Sequence, residues 1–282
     1  MKLKNIFVAG LALITLAACG SATPTKEGSK TTEAPKKVVV GVNGTKHEQW
    51  DYLQKELKEK ENIELEIKEF EDYVTPNTAV EDGSVDLNAF QTIIYLEKFN
   101  KEKGTHVKPI AYTVIAPMGV YSKKLSALSE LKDGDKVAIP NDTSNNSRAL
   151  RLLHAAGVIK LDDVKNTLVT KDNIVENPKN IDIIELPAGQ TYRALDEVAI
   201  SVINSGYAVE AGLDPKTEAK FLEEVTDSSQ PYYNVIAVKE GRENEEIFKT
   251  IIKYYQTKET AKIIEESTKG ASIPVWEKAT LK

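Results

Sequence analysis

The segment from Ile139 to Leu150, IPNDTSNNSRAL, contains the residue types of an anion-binding site. A cluster of turn-forming residues follows an apolar strand, and Ser144 or Asn145 can cap a helix that Gly157 stops. Arg148 then falls in the first helical turn, where backbone N–H groups are free and a cation is unfavourable. Its guanidinium can bind a carboxylate at two points. A surface salt bridge would explain Arg148 equally well, and the residues alone leave both interpretations open.

Patterns typical of catalysis or metal binding do not stand out. His47, His106 and His154 lack the spacing of zinc ligands, and the phosphate-loop, dinucleotide and nucleophile-elbow motifs are absent from the sequence. Carboxylates are abundant, but a catalytic pair cannot be recognised from one sequence. We therefore expect a binding protein that uses no cofactor and no metal, rather than an enzyme.

The single cysteine, Cys19, lies where a lipid anchor would be attached. Lys2 and Lys4 supply a basic start, Ile6 to Leu16 form an apolar run, and LAAC at residues 16–19 is a cleavage box. The run is shorter than the ~20 residues of a spanning helix. The box resembles a bacterial lipoprotein box, which implies a diacylglyceryl group on Cys19 and a signal peptide at residues 1–18.

Residues 19–37 form the predicted lipidated tether. From Gly20 onward this segment has no large apolar residue, so it cannot bury enough surface to fold. As a flexible coil it would reach on the order of 25 Å. We expect the folded body to begin near Lys37, and the absence of a second cysteine leaves its stability to packing alone.

The net charge of the protein limits the classes of partner that it can bind. The net charge is −6, and removal of Lys2 and Lys4 with the signal peptide makes it −8. An acidic, evenly mixed surface argues against nucleic acid and against direct adsorption to anionic lipid. Membrane contact would then depend on the anchor, and stable anchoring needs more than one acyl chain.

In the body, apolar strands alternate with amphipathic helices, which predicts an α/β fold with parallel sheets covered on both faces. Strands are predicted at 38–42, 63–67, 85–90, 136–139, 181–186, 198–203 and 234–238, and helices at 48–61, 94–103, 147–156, 191–196, 207–212, 243–256 and 259–268. The first helix places Trp50, Leu53 and Leu57 on one apolar stripe.

Two apolar stretches, Ile110 to Tyr121 and Asn234 to Val238, bracket a central block with its own strands and helices. The simplest architecture has two lobes, with residues 38–117 and 233–282 in lobe 1 and residues 118–232 in lobe 2. Two crossings would form a hinge and a cleft lined by strand ends. One large doubly wound sheet is the alternative, and it fits the strand count less well.

Four segments together resemble the NlpA family of lipoproteins. They are DLNAFQTIIYL at 86–96, IPNDTSNNSRAL at 139–150, VINSGYAVEAGL at 202–213 and YNVIAVK at 233–239. The best-known members are methionine-binding lipoproteins of ABC importers. The resemblance implies a two-lobed, type II periplasmic-binding-protein fold that closes on an amino acid and delivers it to a permease and its ATPase.

The resemblance also implies ligand-binding residues. Arg148 matches the family arginine that binds the ligand carboxylate, and Asn204 and Asn234 match asparagines that hold the ligand's backbone groups. Asn145, from the same polar segment as Arg148, is also predicted to bind the ligand. A polar residue such as Asn204 at the end of an apolar strand also requires a partner on physical grounds.

Aromatic residues complete the implied pocket. Tyr73 and Phe90 match its aromatic walls and Tyr95 matches a tyrosine of the same pocket, although Phe90 and Tyr95 could be ordinary core residues. Thr92 is also predicted to bind the ligand, although the family's methionine binders usually carry a histidine at this position. The family's residues for the ligand backbone therefore carry over to this sequence, whereas its specificity for the ligand side chain does not.

These observations predict a lipid-anchored, monomeric solute-binding lipoprotein on the extracytoplasmic face of the cell membrane. Its expected ligand is L-methionine, a related amino acid or a short peptide. A surface adhesin or interaction lipoprotein on the same fold is the alternative from another class, and a periplasmic hydrolase ranks third.

Overall fold

Residues 34–163, 168–279 and 281 are described by the computed structural model. The predicted signal peptide, Cys19 and the tether as far as residue 33 lie outside the described residues. Regular structure begins with a strand at Lys36, close to the predicted start of the folded body. Among the described residues, no helix combines the length and apolar character needed to cross a bilayer.

Strands and helices alternate along the chain. The strands are β1 (Lys36–Asn43), β2 (Ile63–Phe70), β3 (Leu87–Thr92), β4 (Val107–Tyr112), β5 (Val114–Ile115), β6 (Gly119–Tyr121), β7 (Lys136–Pro140), β8 (Lys160–Leu161), β9 (Ile174–Glu176), β10 (Asp182–Leu186), β11 (Ile200–Ile203), β12 (Phe221–Leu222), β13 (Asn234–Lys239) and β14 (Ile273–Pro274). The α-helices are α1 (Glu48–Glu61), α2 (Thr75–Asp82), α3 (Ile93–Lys103), α4 (Thr143–Ala155), α5 (Ser205–Glu210), α6 (Pro215–Glu218), α7 (Glu246–Tyr255) and α8 (Lys258–Ser267).

The first sheet has the strand order β2-β1-β3-β13-β4. β1 pairs in parallel with β2 and β3, whereas β13 runs antiparallel to β3 and β4. The prediction of parallel sheets therefore holds for β1, β2 and β3 and is wrong for β13, which makes the sheet mixed. A parallel neighbour requires a crossover that returns the chain to the same end of the sheet. β13 instead enters the first sheet from the second one.

The second sheet has the order β10-β7-β11-β6-β12 and is built from the middle of the chain. β10, β7 and β11 are parallel, and β6 is antiparallel to β11 and β12. The chain passes from the first sheet to the second between β4 and β6, and it returns between β12 and β13. These are the two crossings expected of a two-lobed fold.

Both faces of the first sheet are covered. Trp50, Leu53 and Leu57 of α1 are fully buried and pack with Val40, as the apolar stripe predicted. Successive strand residues point to opposite faces, so Val39 joins a separate cluster with α2 and α3. Burial of each such side chain is worth about 1.5–3 kcal/mol relative to exposure.

The second sheet is anchored by α4. Leu150 and Leu153 of that helix pack against Ile139 of β7 and Val202 of β11. On the other side, Ile203 packs with other residues of the central block. α4 is thus held by its apolar side, while its N-terminal turns carry the polar segment singled out in the sequence.

Several helix bounds differ from the predictions. The helix predicted at 191–196 is a short 3-10 helix at Arg193–Asp196, and the one predicted at 207–212 is α5, which begins at Ser205. The described residues from Pro35 onward form one compact unit. The lobe boundaries at residues 117/118 and 232/233 therefore remain a prediction.

Candidate ligand-binding site

A cavity of about 160 Å³ lies between the two sheets. Its walls come from the first sheet, from the first crossing, and from the starts of α4 and α5, two helices that follow strands of the second sheet. The eight predicted ligand-binding residues all line it: Tyr73, Phe90, Thr92, Tyr95, Asn145, Arg148, Asn204 and Asn234. A neighbouring groove of about 770 Å³ shares only Tyr73 and Tyr95 with that set.

The polar end of the cavity is organised by the start of α4. This helix begins at Thr143 and is capped by Asp142, whose carboxylate accepts from the Asn145 backbone N–H at 3.0 Å. The predicted caps, Ser144 and Asn145, are wrong, because Asp142 offers an equally good acceptor earlier in the chain. As a result Arg148 lies in the second turn, not the first.

Arg148 is 3% exposed, and the side chain of its partner, Glu223, is 17% exposed, so the ion pair is largely shielded from solvent. Its Nε donates to the Glu223 carboxylate at 2.9 and 3.1 Å, and its Nη2 donates to Glu223 and to the Ala116 carbonyl oxygen at 3.1 Å. The guanidinium carbon lies 4.5 Å from the centre of the Tyr232 ring. Nη1 makes no hydrogen bond within the described part of the chain, which leaves one edge of the fork for another acceptor.

Glu223 also fixes the charge of Arg148. Burial alone would lower the pKa of this guanidinium, but the nearby carboxylate outweighs burial and raises that pKa. The pair adds no net charge to the cavity wall. A carboxylate that reaches Nη1 would therefore be matched best by a second, positive group on the same ligand.

Acceptors that suit such a group lie at the end of β11. Asn204 Oδ1 and Ser205 Oγ are buried and have no hydrogen-bond partner among the described residues. Asn204 Nδ2 donates to Asn145 Oδ1 at 2.8 Å. Both residues line the cavity beside Arg148, so a ligand with a carboxylate and an ammonium can be held at both groups.

Asn234 begins β13 and pairs in register with Thr92 of β3. Its carbonyl oxygen accepts from the Thr113 N–H at 2.8 Å, whereas its side-chain amide has no hydrogen-bond partner in the described chain. The sheet thus fixes the backbone of Asn234 and leaves its amide at the cavity wall.

The apolar end of the cavity is an aromatic cluster. The Tyr73 ring lies 5.7 Å from Phe90, 5.8 Å from Tyr95 and 5.0 Å from Tyr207, measured between ring centres. The Tyr95 hydroxyl donates to the Tyr73 carbonyl oxygen at 2.8 Å. Burial raises the pKa of Tyr73 and of Tyr95, and it raises the pKa of Tyr207 to about 12, so these phenols are neutral near pH 7.

Thr92 has a structural role at this end. It is the N-cap of α3, and its hydroxyl oxygen accepts from the Tyr95 N–H at 3.3 Å. One lone pair of that oxygen is therefore used within the protein. Behind it, the buried side chains of Asn77, Asn88 and Gln91 hydrogen-bond to one another and hold β3 against α2.

Direct hydrogen bonds span the cleft at its rim. The Glu210 carboxylate of α5 accepts from the Thr45 N–H at 3.0 Å and from the Thr45 hydroxyl at 2.7 Å. The Tyr207 hydroxyl donates to the Glu71 carbonyl oxygen at 3.0 Å. These bonds join the ends of β1 and β2 in the first sheet to α5, the helix that follows β11 of the second sheet.

The sequence analysis missed several residues of the site. Glu223, Ser205 and Tyr232 carry no local signal, since the partner of Glu223 lies 75 residues away in the chain. Asp142 could have been found, because Asp is as good an N-cap as Ser or Asn. No group of three or more His, Cys, Asp and Glu side chains in the described residues is placed to hold a metal ion.

Two β-sheets with packed helices, joined by two crossings and with a cavity between them, define a two-lobed substrate-binding protein fold. The NlpA lipoprotein family model matches residues 38–276, and the chain belongs to that family.

Individual relatives agree with this assignment. Outer membrane lipoprotein 3 of Mannheimia haemolytica is 42% identical over 85% of this chain and 90% of its own length. A probable D-methionine-binding lipoprotein of Vibrio cholerae is 38% identical over 98% of this chain and 99% of its own. A nutrient binding protein from Burkholderia cenocepacia, solved bound to methionine, has a TM-score of 0.79 and 40% identity, over 84% of this chain and 99% of that one.

Proposed function

We propose that this protein is the solute-binding lipoprotein of an ABC importer and that it captures L-methionine, a related amino acid or a short peptide in the cavity between its sheets. The observation that carries the proposal is the pairing of an unused Arg148 Nη1 with unpartnered acceptors on Asn204 and Ser205. A zwitterionic backbone supplies the complementary carboxylate and ammonium.

The rest of the ligand would lie toward the aromatic cluster of Tyr73, Phe90 and Tyr95. Such a wall binds an apolar or sulfur-containing side chain through area and polarisability, not through specific hydrogen bonds. The V. cholerae and B. cenocepacia relatives, named or solved as methionine binders, support this choice of ligand class.

Delivery to a permease with its ATPase and attachment through Cys19 complete the proposal. Residues 1–18 would be removed, and acyl chains on Cys19 would hold a monomer on the extracytoplasmic face of the cell membrane through a tether at 19–37. Residues 38–117 with 233–282 and residues 118–232 would be the two lobes that close on the ligand. The family's lipoprotein character supports the anchor.

The test is ligand identification on protein purified without denaturation. Native mass spectrometry should reveal one bound small molecule, and unfolding of the emptied protein should shift to higher temperature when that molecule is restored, because a ligand that binds only the folded state stabilises it. Failure of every amino acid and methionine-containing dipeptide to shift unfolding would favour the surface-interaction alternative. Turnover of a substrate would instead indicate a hydrolase.

A further inference from the structure

The side-chain amide of Asn204 is oriented by a chain of hydrogen bonds that ends at Asp142. Asn204 Nδ2 donates to Asn145 Oδ1 at 2.8 Å, and Asn145 Nδ2 donates to both Asp142 carboxylate oxygens at 3.0 Å. Asn145 and Asn204 are 5% and 9% exposed, so water has little access to either amide. An amide can turn by 180°, and its hydrogen-bond partners decide which way it faces.

Asp142 sets the donor-to-acceptor direction of these hydrogen bonds. Its other partners, the Asn145 backbone N–H at 3.0 Å and the Ser144 hydroxyl at 3.1 Å, are donors too. A carboxylate can only accept, so Asn145 must turn its Nδ2 toward Asp142 and its Oδ1 toward Asn204. Asn204 must then turn its Nδ2 toward Asn145, and its Oδ1 remains unpartnered beside the cavity.

We propose that Asp142 and Asn145 are positioning residues that hold Asn204 with its Oδ1 toward the ligand, so that the site selects a hydrogen-bond donor at this point. This inference rests on the proposed function. The selected group is an ammonium or an amide N–H. A ligand with a carbonyl oxygen in the same place meets a second acceptor and leaves Asn204 Oδ1 unpaired. Sites that hydrogen-bond a substrate N–H or O–H reject analogues without it by large factors.

The experiment compares L-methionine with its 2-oxo acid, in which a carbonyl replaces the carbon that carries the ammonium. Dissociation constants of both are measured by calorimetry on the whole folded body. The wild type should bind methionine at least 100-fold more tightly than the oxo acid. In Asp142→Asn, residue 142 still caps α4 but can also donate a hydrogen bond. The amides of Asn145 and Asn204 are then no longer held in one orientation. The ratio of the two constants should fall at least tenfold.

A double variant separates this role from a structural one. In Asp142→Asn/Asn145→Asp, residue 142 donates to residue 145, and the new carboxylate accepts from Asn204 Nδ2. The direction is restored, and most of the discrimination should return. Asp214→Asn is the matched control, because Asp214 caps α6 in the same way but does not line the cavity. It should keep the wild-type ratio.

The outcomes are distinct. If the wild type binds neither compound, the same comparison is made with the amino acid recovered from the purified protein and its 2-oxo acid; if no amino acid or methionine-containing dipeptide binds, the proposed function fails and this inference fails with it. If the wild type binds methionine but does not discriminate, or if Asp142→Asn keeps the full ratio with an unchanged melting temperature, only the inference is overturned. Should Asp142→Asn fold poorly, Asn145→Ala replaces it, since loss of the middle amide also frees Asn204 to turn.

Discussion

Glu223 forms a largely shielded ion pair with Arg148, which lines the cavity, although 75 residues separate the two in the chain. Glu223 occupies Nε and Nη2, and Tyr232 covers one face of the guanidinium. The arginine is thus held in place and electrically balanced before any ligand arrives. A pair of this kind does more to position a charge than to stabilise a fold, because desolvation offsets most of its attraction.

Loss of the Glu223 charge should lower the stability of the free protein and increase the stabilisation by ligand. In Glu223→Gln, Arg148 keeps a hydrogen-bond acceptor but loses its counter-charge, and the free protein should lose about 2 kcal/mol of stability. A ligand carboxylate then becomes the nearest negative charge, so the ligand-induced rise in melting temperature should exceed that of the wild type. Thermal unfolding with and without methionine measures both effects. The exposed neighbour variant Glu224→Gln should show neither effect.

Loss of the arginine itself should weaken ligand binding by about 3–5 kcal/mol, because the ligand carboxylate is buried without a counter-charge. We expect Arg148→Lys to recover only part of this loss, since an ammonium cannot reproduce the planar fork. Calorimetry on Arg148→Ala, with circular dichroism to confirm folding, is the measurement. Wild-type affinity in the alanine variant would contradict the assignment.

Position 92 should influence which ligand is preferred. Thr92→His places an imidazole near Phe90 and Tyr95 and should change the ranking of methionine, cystine, glutamine and methionine-containing dipeptides. The same change removes the cap of α3 and should cost about 1 kcal/mol of stability. Thr92→Ser keeps the cap and serves as the control. Identical rankings in all three proteins would show that residue 92 does not set specificity.

The rim bonds between Glu210 and Thr45 should slow ligand release. Both are direct hydrogen bonds across the cleft, so Glu210→Ala should raise the dissociation rate several-fold and change the association rate little. Stopped-flow fluorescence can follow both rates. Glu224→Ala removes an exposed glutamate elsewhere and provides the comparison. An unchanged dissociation rate in Glu210→Ala would mean that these bonds do not hold the cleft closed.

The anchor prediction is tested outside the folded body. Cys19→Ala should abolish lipidation, because the thiol that accepts the lipid is gone, and should leave the protein unprocessed or released from cells. Metabolic labelling with a fatty acid and detergent-phase partitioning are the assays. Cys19→Ala that still enters the detergent phase as processed protein would show that the anchor lies elsewhere.

Local patterns predicted the parts of the fold that depend on neighbouring residues. The stripe of Trp50, Leu53 and Leu57 is buried as expected, since helical periodicity decides which side faces a sheet. The mixed strand directions were missed, because strand order depends on where the chain returns and not on local hydrophobicity.

For the site as well, the sequence predicted some residues and missed others. The eight residues predicted for the site all line one cavity, but the sequence did not reveal what holds them in place. Glu223 could not be foreseen, because it contacts Arg148 only after the chain has folded. The start of α4 was misplaced by a few residues, since Asp142, Ser144 and Asn145 are all good caps and the sequence does not decide among them.

The position of β13 has a consequence for the order in which the protein folds. This strand lies between β3 and β4 in the first sheet, yet it comes from residues 234–239, after the whole second sheet. An emerging chain therefore cannot complete its first sheet until its C-terminal part is available, and pairing between such distant segments is intrinsically slow.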